Sequence, residues 1–379
     1  ISVLERMAEG RAKSVTKMLE VYKSNPCPVY LLSIAADRSV IETMEFLIAG
    51  TDVNLRCCLG SDEEQEEAIC SLKAAKTIVL DGTALVTLLL TQSYAALDPV
   101  PIELVVTEGT LNDLRSTPCM HGDPHTQVSS FSTDGFVPTT PESVLKARSA
   151  LQGLIDFVKT RCQIAGGAII ASLDADYREQ LLQGFGNAGL ESMLLASQRD
   201  AVLWTDDLPT AMFAKGQFGC RRVWSQLAFE YFAGRAIVPQ DLSEDVALQL
   251  FGMRYYYVRP SVSMIMRAIR KCGGDVDETP LRQVLYWFAD EHAKTDGQFM
   301  IAAGTLKTLW QSSLVDATAQ RITIRILERL TQRPGGLNMV KGLLVNVAAI
   351  FGVDVINGAK AHQVIEAWLK GRHSTIIIP

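Results

Sequence analysis

The chain has 379 residues, 48% hydrophobic and 21% charged, with 36 Lys and Arg against 42 Asp and Glu. That length predicts two or three domains, and a net charge of −6 excludes broad non-specific coating of nucleic acid, though not a local basic groove. No apolar run reaches the roughly 20 residues of a membrane helix, and eight cysteines without a CxxC pair point to a reducing, cytoplasmic setting. No signal peptide is read at the start, and Ile1 in place of Met is read as the mark of a fragment or a processed chain.

In residues 1–25, Leu4, Met7, Val15, Met18, Leu19 and Tyr22 recur at helical spacing, and Pro26 and Pro28 close that element. Residues 29–34 predict a strand. Residues 39–49 predict a helix ended by Gly50. The acidic start of residues 62–75 predicts an amphipathic helix with a solvated charged face. Together these form an N-terminal α/β appendage, residues 1–76.

Residues 77–80 predict a strand ending in Asp81, with Thr83 two positions on and a helix at 85–90. Residues 104–107 predict a second strand, feeding a short helix that carries Asp113. Residues 116–140 are rich in Ser, Thr, Pro, Gly, Asp and His and predict a long loop. Cys119, His121, Asp123 and His125 crowd within it, but their spacing matches no zinc module, so the segment is read as part of a polar insertion, about 116–165. Thr140 and Pro141 open a helix to about Arg161 by N-cap and Pro-at-N1 signals. Residues 168–171 fit a short strand or a helix start, and 177–183 a helix. In residues 189–196, Leu190 and Leu194 share a buried helix face, and Glu191 stands one step from it. A carboxylate there needs a partner.

Residues 201–204 are apolar throughout, as in a strand covered on both faces, and lead into Thr205, Asp206 and Asp207. Residues 211–215 predict a helix and 221–226 a strand-like run. Arg221 and Arg222 there are candidates for phosphate contact or ordinary surface arginines. Residues 240–379 predict a mainly helical region, with helices at 241–251, 261–270, 280–294, 299–312, 317–331, 339–349 and 359–370. Residues 253–258, rich in Tyr, predict a strand returning to the sheet. Arg321, Arg325, Arg329 and Arg333 recur every four residues, a cationic band that either follows a phosphate backbone or forms a solvated face paired with Glu328.

In open α/β sheets, ligands bind beyond the carboxyl ends of the strands. Paired anions there repel unless a cation lies between them, so Asp81, Asp113, Glu191 and Asp207, converging at one edge, would form a divalent-metal site. Hard oxygen ligands suit Mg²⁺ or Mn²⁺ and phosphodiester hydrolysis. Thr83 and Thr205 would orient carboxylates or the scissile phosphate as hydrogen-bond donors.

The same residues resemble the PIN domain, a family of metal-dependent nucleases. The family pattern opens with an apolar strand, Asp, any residue and Ser or Thr, here Ile78-Val79-Leu80-Asp81-Gly82-Thr83. An apolar strand then leads to an acid before Leu, here Val105-Val106 and Asp113-Leu114, with Asp where the family usually has Glu. The third acid lies in an Ala- and Leu-rich helix, here Leu190-Glu191-Ser192-Met193-Leu194-Leu195-Ala196, with Glu where Asp is commoner. The fourth element is Thr-any-Asp after a strand, then Ala: Thr205-Asp206-Asp207 and Ala211. Residues 219–226 also look like the closing strand of PIN domains fused to larger bacterial assemblies. A rival likeness of Leu80-Asp81-Gly82-Thr83 to haloacid-dehalogenase-like phosphatases fails, because Val79 stands where their nucleophilic Asp is required.

The resemblance implies a PIN-like three-layer α/β fold with a central mostly parallel sheet at residues 77–239, followed by the helical region 240–379. It implies a Mg²⁺- or Mn²⁺-dependent endonuclease, most plausibly an endoribonuclease of a cytoplasmic bacterial regulatory or defence system. Asp81, Asp113, Glu191 and Asp207 would ligate metal, with Asp206 auxiliary. RNA is the expected partner, more than DNA, with Arg221, Arg222, Arg321, Arg325 and Arg329 as its candidate contacts and the helical region binding substrate or a protein. The alternative is a catalytically silent PIN-like scaffold that binds RNA or protein.

Overall fold

A computed structural model describes residues 19–50, 53–121, 130–132, 135–137 and 140–374. Those residues fall into two compact units. One runs to Val246 and takes in Met253–Val258; the other holds Ala247–Gly252 and the chain from Arg259 onward. The elements before residue 77 belong to the same unit as the sheet, and that unit continues past residue 239.

A five-stranded parallel sheet organises the first unit. Its strands are β2 (Thr77–Leu80), β3 (Glu103–Thr107), β6 (Gln163–Ala165), β7 (Val202–Trp204) and β8 (Arg221–Val223), in the order β6-β3-β2-β7-β8. Two short ladders lie apart from it: β1 (Leu55–Arg56) with β9 (Tyr255–Tyr256), parallel, and β4 (Ser130–Ser132) with β5 (Gly135–Val137), antiparallel. The strand expected at 253–258 thus pairs with Leu55–Arg56 and not with the central sheet.

Strand residues alternate between two buried faces, which is why the sequence reads as unbroken apolar runs. Val79, Val105 and Leu203 join one core with Leu190, Met193 and Leu194 of α7 (Ala175–Gln198) and Ala214 of α8 (Leu208–Phe218). On the other face, Phe229 and Phe232 of α9 (Ser225–Gly234) pack around Trp204, with ring centroids 6.1 and 6.2 Å away. Full burial of side chains this large stabilises the layer by about 2–3 kcal/mol each. The two helices expected at 177–183 and 189–196 run as one, kinked at Gly186, where φ is +60° and only glycine is unstrained.

Residues 29–34 are a helix and not a strand. They lie in α1 (Val29–Ala36), followed by α2 (Val40–Gly50). A short apolar run does not distinguish the two by periodicity. In the fold, Val29, Tyr30, Leu32 and Ser33 are buried while Leu31 and Ile34 are exposed, the one-sided pattern of a helix lying on a core. Of the helix expected at 1–25, residues 19–25 fall within the described part, and 19–24 are helical. The acidic helix is α3 (Asp62–Ala74); α4 (Gly82–Leu90) and α5 (Glu108–Ser116) follow β2 and β3, and α6 (Pro141–Arg161) begins at its Thr140 cap.

The second unit is helical among the described residues: α11 (Val262–Lys271), α12 (Leu281–Tyr286), α13 (Thr295–Gln311), α14 (Asp316–Leu330), α15 (Gly336–Phe351) and α16 (Val355–Ser374) follow α10 (Gln240–Gly252). The helix expected over 280–294 ends at Tyr286 and tightens into a 3₁₀ turn at Trp287–Ala289. No described helix is long and apolar enough to cross a membrane.

Candidate active site

The chain runs from β2 to β3 and β6 on one side of the sheet, then crosses back to β7 and β8 on the other. The order therefore reverses between β2 and β7, and the carboxyl ends of these two strands flank the crevice in which α/β proteins bind ligands. Leu80 pairs with Trp204, so Asp81 and Thr205 are the next residues out on adjacent strands.

Asp81 is fully buried and caps α4. Its Oδ1 accepts from the Ala84 amide (2.8 Å) and from Thr83 Oγ1 (2.8 Å), and its Oδ2 accepts from Thr205 Oγ1 (2.7 Å). Burial nevertheless pushes its pKa from 3.8 to about 7, with the charge of Asp206 adding to the rise. Asp207 is 1% exposed. Its Oδ2 accepts from Thr210 Oγ1 (2.5 Å) and from the backbone amide of Val29 (2.9 Å), 178 residues earlier in the chain. Its Oδ1 is buried without a hydrogen-bond partner. Burial, with a contribution from Asp81, raises its pKa to about 7 as well.

Asp206 points elsewhere. Its two oxygens accept from the amide (2.7 Å) and hydroxyl of Ser225, at the start of α9. The expectation that Asp206 assists metal binding is corrected: the carboxylate satisfies the N-terminus of a helix whose own N-cap, Trp224, has no capping side chain.

Asp113 and Glu191 lie apart from these two, on a common cleft. Asp113 accepts from the Val40 amide at the start of α2, and burial raises its pKa to about 6. Glu191 accepts from the Gly109 amide (2.8 Å) and from Thr107; burial raises its pKa too. Both line an open cleft of about 550 Å³, together with Glu108, Asn112, Asn187, Arg38 and Tyr30. Asp81 and Asp207 do not line it.

The expected convergence of four carboxylates is therefore not built. Among the described residues, no three Asp, Glu, His or Cys side chains gather closely enough to hold a metal ion. The physical reason is Tyr30, which sequence reasoning missed because its segment was read as a strand. Its ring is buried, its hydroxyl accepts from the Gly82 amide (2.8 Å), and it feels the charges of Asp81, Asp113 and Asp207 together.

The Asp81–Asp207 pair still fits a hard cation. Two buried carboxylates repel each other, and the Asp207 Oδ1 lone pairs have no acceptor role filled. These two residues would hold a Mg²⁺ or Mn²⁺ ion.

The arginines are largely committed to structure. Arg222, expected at a phosphate, is corrected to a buried residue: it pairs with Glu64, donates to the Cys57 carbonyl (2.9 Å) and lies over the Trp224 ring. Glu64 likewise leaves the solvated face expected of α3 and also accepts from the Leu59 and Gly60 amides. Arg221 pairs with Asp200 (2.9 Å). In the second unit, Arg325 pairs with Asp277 (2.9 Å) and Glu328 (3.5 Å), and Arg329 stacks 3.7 Å over Tyr286. Arg333 donates to Ala293 O, Gln298 and Thr295. Arg321 is exposed. The expected band is thus mostly paired, not an open track. Of the crowded loop residues, His121 bonds Arg115 O (2.7 Å), while Asp123 and His125 lie outside the described residues.

A doubly wound parallel sheet with carboxylates beyond the carboxyl ends of its adjacent strands β2 and β7 defines an acid-centred α/β domain. The family described as "PIN domain associated with the TPR-GreAB-C-PIN system" matches residues 79–216, and this stretch of the chain is a PIN domain. PIN domains are generally nucleases. No curated protein and no solved structure matches the chain.

Proposed function

We propose that this chain is a metal-dependent nuclease hydrolysing phosphodiester bonds, most plausibly an endoribonuclease using Mg²⁺ or Mn²⁺ in a cytoplasmic bacterial regulatory or defence system. The observation that carries the reading is the buried Asp81–Asp207 pair at the switch point, with one carboxylate oxygen left without a partner. A divalent cation, when bound, supplies positive charge to the phosphodiester and acidifies a water. Thr83 and Thr205 hold Asp81 in one orientation, and Thr210 holds Asp207. Asp113, with its pKa near 6, is suited to take up or release a proton at neutral pH. The association of the matched family with a TPR-GreAB-C-PIN system supports a protein partner besides RNA.

The test is incubation with labelled RNA and DNA, in Mn²⁺ or in chelator, for the unmodified chain, Tyr30→Ala and Asp81→Asn. The expected result is Mn²⁺-dependent cleavage of RNA that chelator and Asp81→Asn abolish. One observation favours the silent scaffold: no three metal-binding side chains are gathered among the described residues. Substrate equally intact in every lane, Tyr30→Ala included, would establish that second reading.

A further inference from the structure

A nuclease must bring a polymer to its carboxylates, yet Asp81 and Asp207 are 0% and 1% exposed. An open cleft is lined by Tyr30, Asp113 and Glu191 but not by Asp81 or Asp207, and Tyr30 feels the charge of Asp113 on the one side and of Asp81 and Asp207 on the other. Tyr30 is therefore the partition between two half-sites, one buried and one open to solvent.

The fit of this partition is close. The Val29 amide is seated on Asp207 Oδ2 (2.9 Å), and the Tyr30 hydroxyl is seated on the Gly82 amide (2.8 Å) at the start of α4. Two glycines make room for the ring. A Cβ at Gly189 would come within 2.9 Å of the ring, and one at Gly82 within 2.8 Å of the hydroxyl. The helix bearing Tyr30 is short and joined to its neighbours by non-helical backbone, extended at Pro28 and left-handed at Asp37 (φ 52°). Its outer side, with Leu31 and Ile34, is exposed. The same carboxylate that Val29 holds by Oδ2 keeps its Oδ1 buried without a hydrogen-bond partner, an oxygen free to bind a cation.

We propose that α1 is an autoinhibitory stopper: Val29 and Tyr30 occupy the mouth of the Asp81–Asp207 pair, and the site takes a divalent cation and then a phosphodiester only when this helix lifts. Lifting removes the partition and opens the buried pair to the cleft that holds Asp113 and Glu191. The inference rests on the nuclease reading, because a scaffold has no need to open.

Mn²⁺ binding, read by loss of the free-ion electron paramagnetic resonance signal, tests it without relying on turnover. Four full-length chains are compared: unmodified, Tyr30→Ala, Val29→Pro and Tyr30→Ala/Asp207→Asn. Val29→Pro removes the amide hydrogen that holds Asp207 at a position, the first of a helix after an extended residue, where proline is tolerated. It thus loosens the stopper without truncating the core, should Tyr30→Ala fail to fold. The expected result is weak binding by the unmodified chain, binding at least tenfold tighter in Tyr30→Ala and Val29→Pro, and loss of that gain in the double variant. Tight, Asp207-dependent binding by the unmodified chain, unchanged by either release variant, overturns the stopper and leaves the nuclease reading intact. No Mn²⁺ binding by any chain that retains native circular dichroism overturns both.

Discussion

Asp207 has one oxygen engaged by the Val29 amide and Thr210 and the other without a partner, so Asp207→Asn removes a charge while keeping the shape. The fold raises its pKa from 3.8 to about 7, so between these values the folded chain holds a proton that the unfolded chain has lost. Stability must then fall as pH rises through this window. Charging the group in the fold rather than in the unfolded chain costs about 4 kcal/mol, at about 1.4 kcal/mol per pH unit. The asparagine carries no such cost, but its amide nitrogen, in the position of the orphaned oxygen, leaves a buried donor unsatisfied at about 1–3 kcal/mol. At pH 5, about one unit above the unfolded value, roughly 1.6 kcal/mol of the charging cost is already present, so the net expectation is a gain of about 2 kcal/mol at pH 8 and little change at pH 5. At about 2–4 °C per kcal/mol for a unit of this size, the melting temperature should rise by about 4–8 °C at pH 8 and stay nearly unchanged at pH 5. Calorimetry in chelator-containing buffer reads this directly. A variant that melts lower than the unmodified chain by the same amount at pH 5 and pH 8 would refute the argument, because Asp207 would then carry no buried, uncompensated charge.

Two further outcomes follow from the arginines. Glu64→Ala should destabilise the first unit by about 3–5 kcal/mol in urea unfolding, because it leaves the Arg222 guanidinium buried without its carboxylate; Glu64→Ala/Arg222→Met should recover most of that loss. Arg329→Ala should lower the stability of the second unit by about 1–2 kcal/mol through loss of its stacking on Tyr286, whereas exposed Arg321→Ala should stay within about 0.5 kcal/mol, both measured by thermal melting.

The sequence by itself determined the PIN domain's central elements. Strands β2, β3 and β7 are buried on both faces and so appear as continuous apolar runs, and each gives way to a polar residue where the chain leaves the sheet. Asp81 and Asp207 were legible for that reason, and Thr83 and Thr205 by their spacing from them. The α6 cap was legible because capping chemistry is local. Tertiary structure decided which of these groups meet. Asp206 and Asp207 are neighbours in sequence, yet one serves the N-terminus of α9 and the other faces Val29 across 178 residues. Arg222 and Glu64 both read as solvated, and each is withdrawn from water only because the other is there to neutralise it. The apolar run at residues 29–34 carries no period that separates strand from helix; its docking on α7 settles the matter and brings Tyr30 among the acids. Local patterns reveal what an element is, because propensity, capping and alternation act over a few residues. Access to the carboxylates depends instead on a contact between distant segments, for which no local signal exists.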